Sequence, residues 1–294
     1  MLHRTPRFVS SRILVIVTLV GVVVGVSGLL LVVSPFTASR AVAASVPTCS
    51  PTGTVDVNGK TYEVQNNQWN SAATGQECIG VDDVSGAFSV TTANNVLPTN
   101  GAPASYPSIF KGCHWGNCTT NSNLPIQMSN LASANSSWSI STASGAWDAA
   151  YDIWFNQTPT TTGQPNGTEV MIWINHSGPP QPFGSQVGTA TINGSNWNVW
   201  TGTPNGGGTN WNIISYVDTT PTTSVNFDLK NFFTDAVARG SIQNNWYLLD
   251  VEAGFELWQN GAGMASQSFS VSPVANGGGP TPTPTATPRA GTPT

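Results

Sequence analysis

Between residues 46 and 275, short runs rich in Val, Ile, Thr, Trp, Tyr and Phe alternate with clusters of Gly, Asn, Pro and Thr. Runs of this composition predict strands, and the clusters between them predict turns. The predicted strands are TYEVQNNQW, SWSIS, AAYDIWF, TEVMIWI, GTATI, NWNVWTG, WNIISYV, WYLLDVEAGFELW and SFSVSPV. Many short strands at this spacing are typical of an all-β sandwich or jelly roll.

One segment departs from this rhythm. FDLKNFFTDAVARG, residues 227–240, carries its apolar residues mostly at helical spacing. Asp228 lies near the start of the segment and Gly240 ends it, as is usual for a helix. The sequence therefore predicts one helix, packed on one side of the sandwich.

The chain contains few charged residues. Only 8% of the residues are Asp, Glu, Lys or Arg, against roughly 25% in an average soluble domain. Four of the nine basic residues lie in the first 44 residues, so the net charge of −5 would become −9 without that segment. A chain of this kind has no basic surface, which argues against nucleic acid as a partner.

The N-terminal segment has the features of an export signal. Its first twelve residues are basic, residues 13–33 are almost entirely apolar, and residues 41–43 are small. We expect a signal peptide over residues 1–44 and a secreted, extracellular protein with no stable membrane association after cleavage. The apolar run is also long enough to span a bilayer, so a retained anchor remains the alternative. The domain would lie outside the cell in both cases.

Four cysteines follow the signal segment, namely Cys49, Cys78, Cys113 and Cys118. In an oxidising compartment they allow three disulfide connectivities. Cys113 and Cys118 lie close together in KGCHWGNCT, which favours a local bond and leaves Cys49 to pair with Cys78. A zinc site is the alternative, but no paired metal-ligand spacing supports it. We expect no metal and no organic cofactor.

Two glutamates lie within strands that are otherwise suited to burial. In GTEVMIWINH, alternation puts Glu169 on one face with Met171 and Trp173, while the opposite face is aliphatic. In WYLLDVEAGFELWQNG, Glu256 again lies on the face opposite the apolar residues. Gly254 on that same face leaves room for a ligand to approach the backbone.

Asp152 is a third acidic residue within a predicted strand, in AAYDIWFNQ, where it shares a face with Trp154. Paired carboxyls on ligand-facing strands suit the cleavage of glycosidic bonds. One group protonates the leaving oxygen, and the other attacks carbon or activates water. Strand carboxylates also serve as salt-bridge partners or protect sheet edges. Basic partners are scarce in this chain, but these patterns alone leave both roles open.

Five fragments in this order, NNQWN, YPSIFKGCHWGNCT, AYDIWF, GTEVMIWINH and GFELWQNG, resemble glycoside hydrolase family 12, the compact bacterial and fungal endoglucanases. The similarity runs from residue 49 to about residue 274 and includes both cysteine pairs. It implies a catalytic jelly-roll domain over residues 45–275. The domain would have two antiparallel sheets, an open cleft that binds a β-1,4-glucan, and one packed helix.

The resemblance also implies a retaining double displacement. Glu169 matches the glutamate of the E-x-M-x-W motif and would be the nucleophile. Glu256 matches the glutamate of the G-F-E motif and would be the general acid/base. Asp152 matches the aspartate that hydrogen-bonds the nucleophile. Two nearby carboxyls of this kind titrate as a coupled pair.

The same resemblance implies sugar contacts. Trp69 would stack on a glucosyl ring, and Asn67 would hydrogen-bond sugar hydroxyls. Phe183 stands where many family members carry a smaller aliphatic residue, which puts the subsite preference in doubt. Further expected substrate contacts are His114, Trp115, Met171, Trp154 and Trp173, of which the last two could instead brace the carboxyls.

We therefore expect a secreted, monomeric endo-β-1,4-glucanase that acts on cellulose and mixed-linkage β-glucan. Xyloglucan is an alternative substrate, and a non-catalytic β-glucan-binding jelly roll is an alternative of another class. A family 11 xylanase fits the E-V-M-I-W and D-I-W-F strings poorly. Residues 276–294 read as a Pro/Thr/Gly-rich linker or tail, which could have joined a missing carbohydrate-binding module.

Overall fold

A computed structural model describes residues 45–204 and 211–278. The predicted signal peptide, residues 1–44, and residues 279–294 of the predicted tail lie outside the described residues. Within the part that is described, no helix combines the length and the apolar character needed to cross a membrane.

The first of two sheets has six strands, all paired antiparallel. We call it the six-stranded sheet. In spatial order its strands are β1 (Val46–Thr48), β4 (Glu77–Val81), β5 (Phe88–Ala93), β18 (Ala265–Ala275), β9 (Leu131–Ser141) and β15 (Ser224–Asp228).

The second sheet has twelve strands and is called the large sheet. Nine form a continuous path: β12 (Ser185–Ile192), β13 (Ser195–Gly202), β14 (Asn212–Asp218), β11 (Thr168–Ser177), β10 (Gly145–Asn156), β17 (Asp250–Asn260), β6 (Ser108–His114), β3 (Tyr62–Gln65) and β2 (Thr54–Val57). Short strands β7 (Asn117–Cys118), β8 (Ile126–Gln127) and β16 (Tyr247–Leu248) pair beside this path. Among the described strands, β11 and β14 form the one parallel pair.

The main core lies between the two sheets and confirms the predicted sandwich. Alternate residues of β10 and β17 point into it, so that Tyr151 and Phe255 lie against Trp138 of β9. Trp138 and Tyr151 meet edge to face with ring centroids 5.4 Å apart, a favoured aromatic geometry. This face of the large sheet fixes the positions of the strands whose other face carries the site.

The large sheet also buries apolar residues on its other face. A second cluster there contains Ala146, Ala150, Met171, Trp173, Ile213, Val217 and Trp258. A sheet covered on only one face would alternate between apolar and polar residues. The central strands of this sheet therefore carry apolar residues on both faces, and the acidic residues of the cleft face lie among apolar side chains and one another.

The predicted helix is present as α1 (Lys230–Ala238). It begins later than residue 227 because Phe227 and Asp228 pair with β9 as part of β15. Phe232 is fully buried, with its ring centroid 4.9 Å from that of Trp197 and 5.2 Å from that of Tyr216. The helix thus packs on the large sheet at β13 and β14. Two 3-10 turns, Met128–Asn130 and Asn276–Gly278, complete the described helical structure.

Each sheet carries one disulfide near the end of a strand. Cys49 bonds to Cys78 and so ties the segment after β1 to β4. Cys113 bonds to Cys118 and joins the end of β6 to β7. The second bond closes the short hairpin that carries His114 and Trp115.

Candidate active site

A cleft of about 990 Å³ opens on the face of the large sheet that points away from the main core. All ten residues that the sequence singled out as catalytic or substrate-binding line it: Asn67, Trp69, His114, Trp115, Asp152, Trp154, Glu169, Met171, Trp173 and Glu256. Residues up to 189 positions apart in the chain thus face one open space, in the arrangement of a site for an extended ligand.

Strand β10 separates the two glutamates. Glu169 on β11 lies opposite Trp154 of β10, and Glu256 on β17 lies opposite Asp148 of β10. Asp152 lies between these two positions on β10. The glutamates are therefore offset along the strand direction, with the carboxyl of Asp152 between them.

Glu169 has one strong hydrogen-bond donor. The indole Nε1–H of Trp211 donates to its Oε2 at 2.8 Å, and the residue is 9% exposed. Burial raises the pKa of Glu169 to about 8; the Trp211 hydrogen bond opposes this rise, and the charges of Glu256 and Glu252 add to it. Trp211 is therefore the group that favours the ionised form of this carboxyl.

Burial also raises the pKa values of the other two carboxyls. For Asp152 the nearby charge of Glu169 is the next cause, and its Oδ2 accepts a hydrogen bond from Trp154 Nε1 at 3.3 Å. For Glu256 the next cause is Asp148, through both its charge and a hydrogen bond. The three groups repel one another when ionised, so their titrations depend on one another.

His114 forms part of a second polar network beside them. Its Nδ1 lies 2.5 Å from Oε1 of Glu252, whose Oε2 accepts hydrogen bonds from Gln65 Nε2 and Ser108 Oγ, each at 2.9 Å. Ligand atoms of His114, Glu252 and Asp250 lie within 4.8 Å of one another, a spacing that a metal could use. Because protein donors already satisfy both oxygens of Glu252, we interpret this group as a hydrogen-bonded network and assign no metal to it.

Aromatic rings form one wall of the cleft. Trp115 contacts His114 and Trp154, with ring centroids 4.3 and 5.0 Å apart, and Trp154 contacts Trp211 at 5.9 Å. Trp69 and Trp115 are 53% and 40% exposed. These two rings are therefore accessible for stacking on a ligand.

Trp173, in contrast, is 1% exposed. It packs beside Trp258 with ring centroids 6.5 Å apart. Of the two expectations for Trp173, the structure favours a bracing side chain beneath the cleft over a stacking platform.

Comparison with known proteins assigns the family. The sequence model described as "Glycosyl hydrolase family 12" matches residues 46–273. The chain belongs to this family.

Solved structures agree with the family assignment. The chain is 43% identical to endoglucanase cel12A from Rhodothermus marinus, with a TM-score of 0.73 over 78% of this chain and 99% of that one. It is 41% identical over 149 residues to the probable cellulase Cel12b of Mycobacterium tuberculosis, which covers 50% of this chain and 95% of the relative. It is also 30% identical over 219 residues to a xyloglucan-specific endo-beta-1,4-glucanase A of Emericella nidulans, covering 72% and 85%. The protein is therefore a glycoside hydrolase of the endoglucanase type.

The sequence did not reveal every residue of this family 12 cleft. Trp211 and Tyr106 line it, and Trp211 is the direct donor to Glu169. The hydroxyl of Tyr106 donates to the Ala150 carbonyl at 2.9 Å, which joins the loop before β6 to the cleft floor. No local pattern marks either residue, because both depend on contacts that are distant in sequence. Glu252 did carry a signal, since it shares a strand face with Glu256.

The raised pKa values predict that the folded protein is more stable at about pH 5 than at about pH 8. A carboxyl whose pKa rises on folding stays protonated while the unfolded chain ionises, so the folded state binds more protons. The free energy of unfolding should therefore fall from about pH 4 upwards, as the unfolded chain ionises. The fall should extend to at least pH 8, where Glu169 ionises, because burial also raises the pKa values of Asp152, Asp250 and Glu256.

Urea unfolding across this pH range measures the trend. Glu169→Gln removes one titrating group and should make the fall shallower. A free energy of unfolding that rises from pH 5 to pH 8 would contradict the raised pKa values.

Proposed function

We propose that this family 12 enzyme is a secreted endo-β-1,4-glucanase that hydrolyses cellulose and mixed-linkage β-glucan by a retaining double displacement. The observation that carries the proposal is the meeting of Glu169, Asp152 and Glu256 in one cleft with exposed Trp69 and Trp115. Retaining glycosidases need one carboxylate as nucleophile and one protonated carboxyl as acid.

The surroundings of the two glutamates support different roles. Burial raises the pKa values of both glutamates, but the indole N–H of Trp211 opposes the rise at Glu169, whereas Asp148 adds to the rise at Glu256. Glu169 is thus the group favoured to ionise and attack the anomeric carbon. Glu256 is the group favoured to keep its proton and to donate it to the leaving glycosidic oxygen.

In the second half of the reaction the roles follow from microscopic reversibility. Glu256, having lost its proton, takes one from water as that water attacks the glycosyl ester on Glu169. A protonated Asp152 would add no negative charge beside Glu169, and burial favours that protonated form by raising its pKa. Asp152 therefore helps Glu169 to ionise.

Two substitutions test this proposal and separate an enzyme from a glucan-binding module. Glu169→Gln keeps the shape of the side chain but cannot form the ester, so hydrolysis of barley β-glucan should fall by several orders of magnitude. Binding of cello-oligosaccharides should persist, because stacking on Trp69 does not need that charge. Trp69→Ala should weaken binding while leaving the carboxyls intact.

The measurements are hydrolysis rates and calorimetric binding, made after circular dichroism shows that both variants are folded. Near wild-type hydrolysis by Glu169→Gln would mean that this carboxyl is structural. In that case the nucleophile role assigned to Glu169 is wrong.

Xyloglucan is a second candidate substrate, because relatives such as that of Emericella nidulans are named as xyloglucan-specific. In this chain Phe183 lines the cleft at 51% exposure and lies directly over the backbone of Gly202. A large ring at this position narrows the space for branched chains.

We expect higher rates on barley β-glucan and carboxymethylcellulose than on xyloglucan or xylan, and Phe183→Ala should raise the relative rate on xyloglucan. A wild-type preference for xyloglucan would favour the second candidate.

Export, a monomeric state and a former link to a carbohydrate-binding module are proposed from the sequence. Export rests on the basic and apolar pattern of residues 1–44, and the link rests on the composition of residues 276–294.

A further inference from the structure

Asp148 is a buried carboxyl that the proposed mechanism does not yet use. It lies on the cleft side of β10, directly opposite Glu256 of β17, and its side chain is fully buried. No described group donates a well-formed hydrogen bond to either of its oxygens. An ionised carboxylate in such a place is costly unless a partner compensates for it.

The groups that face Asp148 offer no stable cation. Its neighbour on β11 is His176, which is exposed to solvent on one side and whose pKa is lowered by partial burial. Asp152 lies further along β10 and Tyr106 lies on the loop before β6, and neither carries a positive charge. None of the ion pairs among the described residues includes Asp148.

The carboxyl of Glu256 is then the side chain that can share a proton with Asp148, and the backbone N–H of Glu256 also lowers the pKa of Asp148. Ionising both of two facing carboxyls is electrostatically unfavourable, but one proton held between them forms a strong charge-assisted hydrogen bond. The directions of the shifts agree: burial raises the pKa of Asp148 to about 7, and Asp148 in turn raises that of Glu256.

We propose that Asp148 is a positioning residue that accepts the O–H of Glu256 and so keeps the acid/base carboxyl protonated and correctly oriented before substrate binds. The inference rests on the proposed role of Glu256 as acid/base. When Glu256 gives its proton to the leaving oxygen, the pair is left with one proton fewer. Both carboxyls are then ionised and repel each other. This repulsion makes Glu256 a stronger base toward the attacking water.

The scarcity of glutamate in this chain makes a direct test possible. The whole sequence has five glutamates, so protein labelled with ¹³C at the glutamate carboxyl gives five resonances to follow with pH. Comparison with Glu256→Gln assigns the resonance of Glu256. In Asp148→Asn the negative charge is gone and the amide can donate to Glu256. The pKa of Glu256 should therefore fall by roughly one unit or more.

Asp250→Asn is the matched control. It makes the same change in a buried aspartate that lies six positions from Glu256 on the same strand. The charged neighbour of Asp250 is Glu252. Its effect on the Glu256 resonance should be small. An equal fall in both variants, or no fall in Asp148→Asn, would overturn the proposal. If Asp148→Asn does not fold, Asp148→Ser removes the same charge and is measured instead.

Kinetics provide a readout that a purely structural role would not change. The alkaline limb of the kcat/KM profile on barley β-glucan should move to lower pH in Asp148→Asn by the same shift that NMR measures. An unmoved limb beside a shifted resonance would overturn the catalytic part of the proposal. Near wild-type hydrolysis by Glu256→Gln would instead refute the acid/base role of Glu256, and the NMR result would still report whether the two carboxyls share a proton.

Discussion

Repulsion between buried carboxyls is the constraint on which the site depends. Six of them, Asp148, Asp152, Glu169, Asp250, Glu252 and Glu256, occupy the cleft side of three adjacent strands. Among the described residues, none of the six is ion-paired with Lys or Arg. Each must instead be hydrogen-bonded or protonated, and the protonation state of one group alters the pKa values of its neighbours. Differences in protonation, and with them the acid and nucleophile roles that we propose for Glu256 and Glu169, follow from this arrangement.

The sandwich holds the carboxyls against that repulsion. Tyr151 and Phe255 belong to the same strands as Asp152 and Glu256 but point into the main core, where they lie against Trp138. Moving a carboxyl away from its neighbours by shifting a strand would disrupt this aromatic packing. The apolar contacts of one face therefore stabilise an electrostatically costly arrangement on the other. Such a cost is common where structure serves function.

The sequence predicted the features that depend on local order. Alternation with a period of two is a property of a single strand, so it identified the faces of Glu169, Glu256 and Asp152 without any knowledge of pairing. The helix was found for a similar reason, and its start was misplaced because pairing of β15 with β9 extends through Asp228. Register between strands distant in sequence could not be predicted. The partnership of Asp148 with Glu256 and the contact of Trp211 with Glu169 both depend on it.

We propose that Glu169 forms a covalent bond to the sugar, while Glu256 first donates a proton and then takes one from water. A 2-deoxy-2-fluoro-cellobioside with a good leaving group should trap the glycosyl-enzyme, since the fluorine slows its hydrolysis and the leaving group needs no acid. Mass spectrometry of the peptides from trapped enzyme locates the added disaccharide. We expect one label, on Glu169. A label on Glu256, or an inactivated enzyme without any covalent sugar, would contradict it.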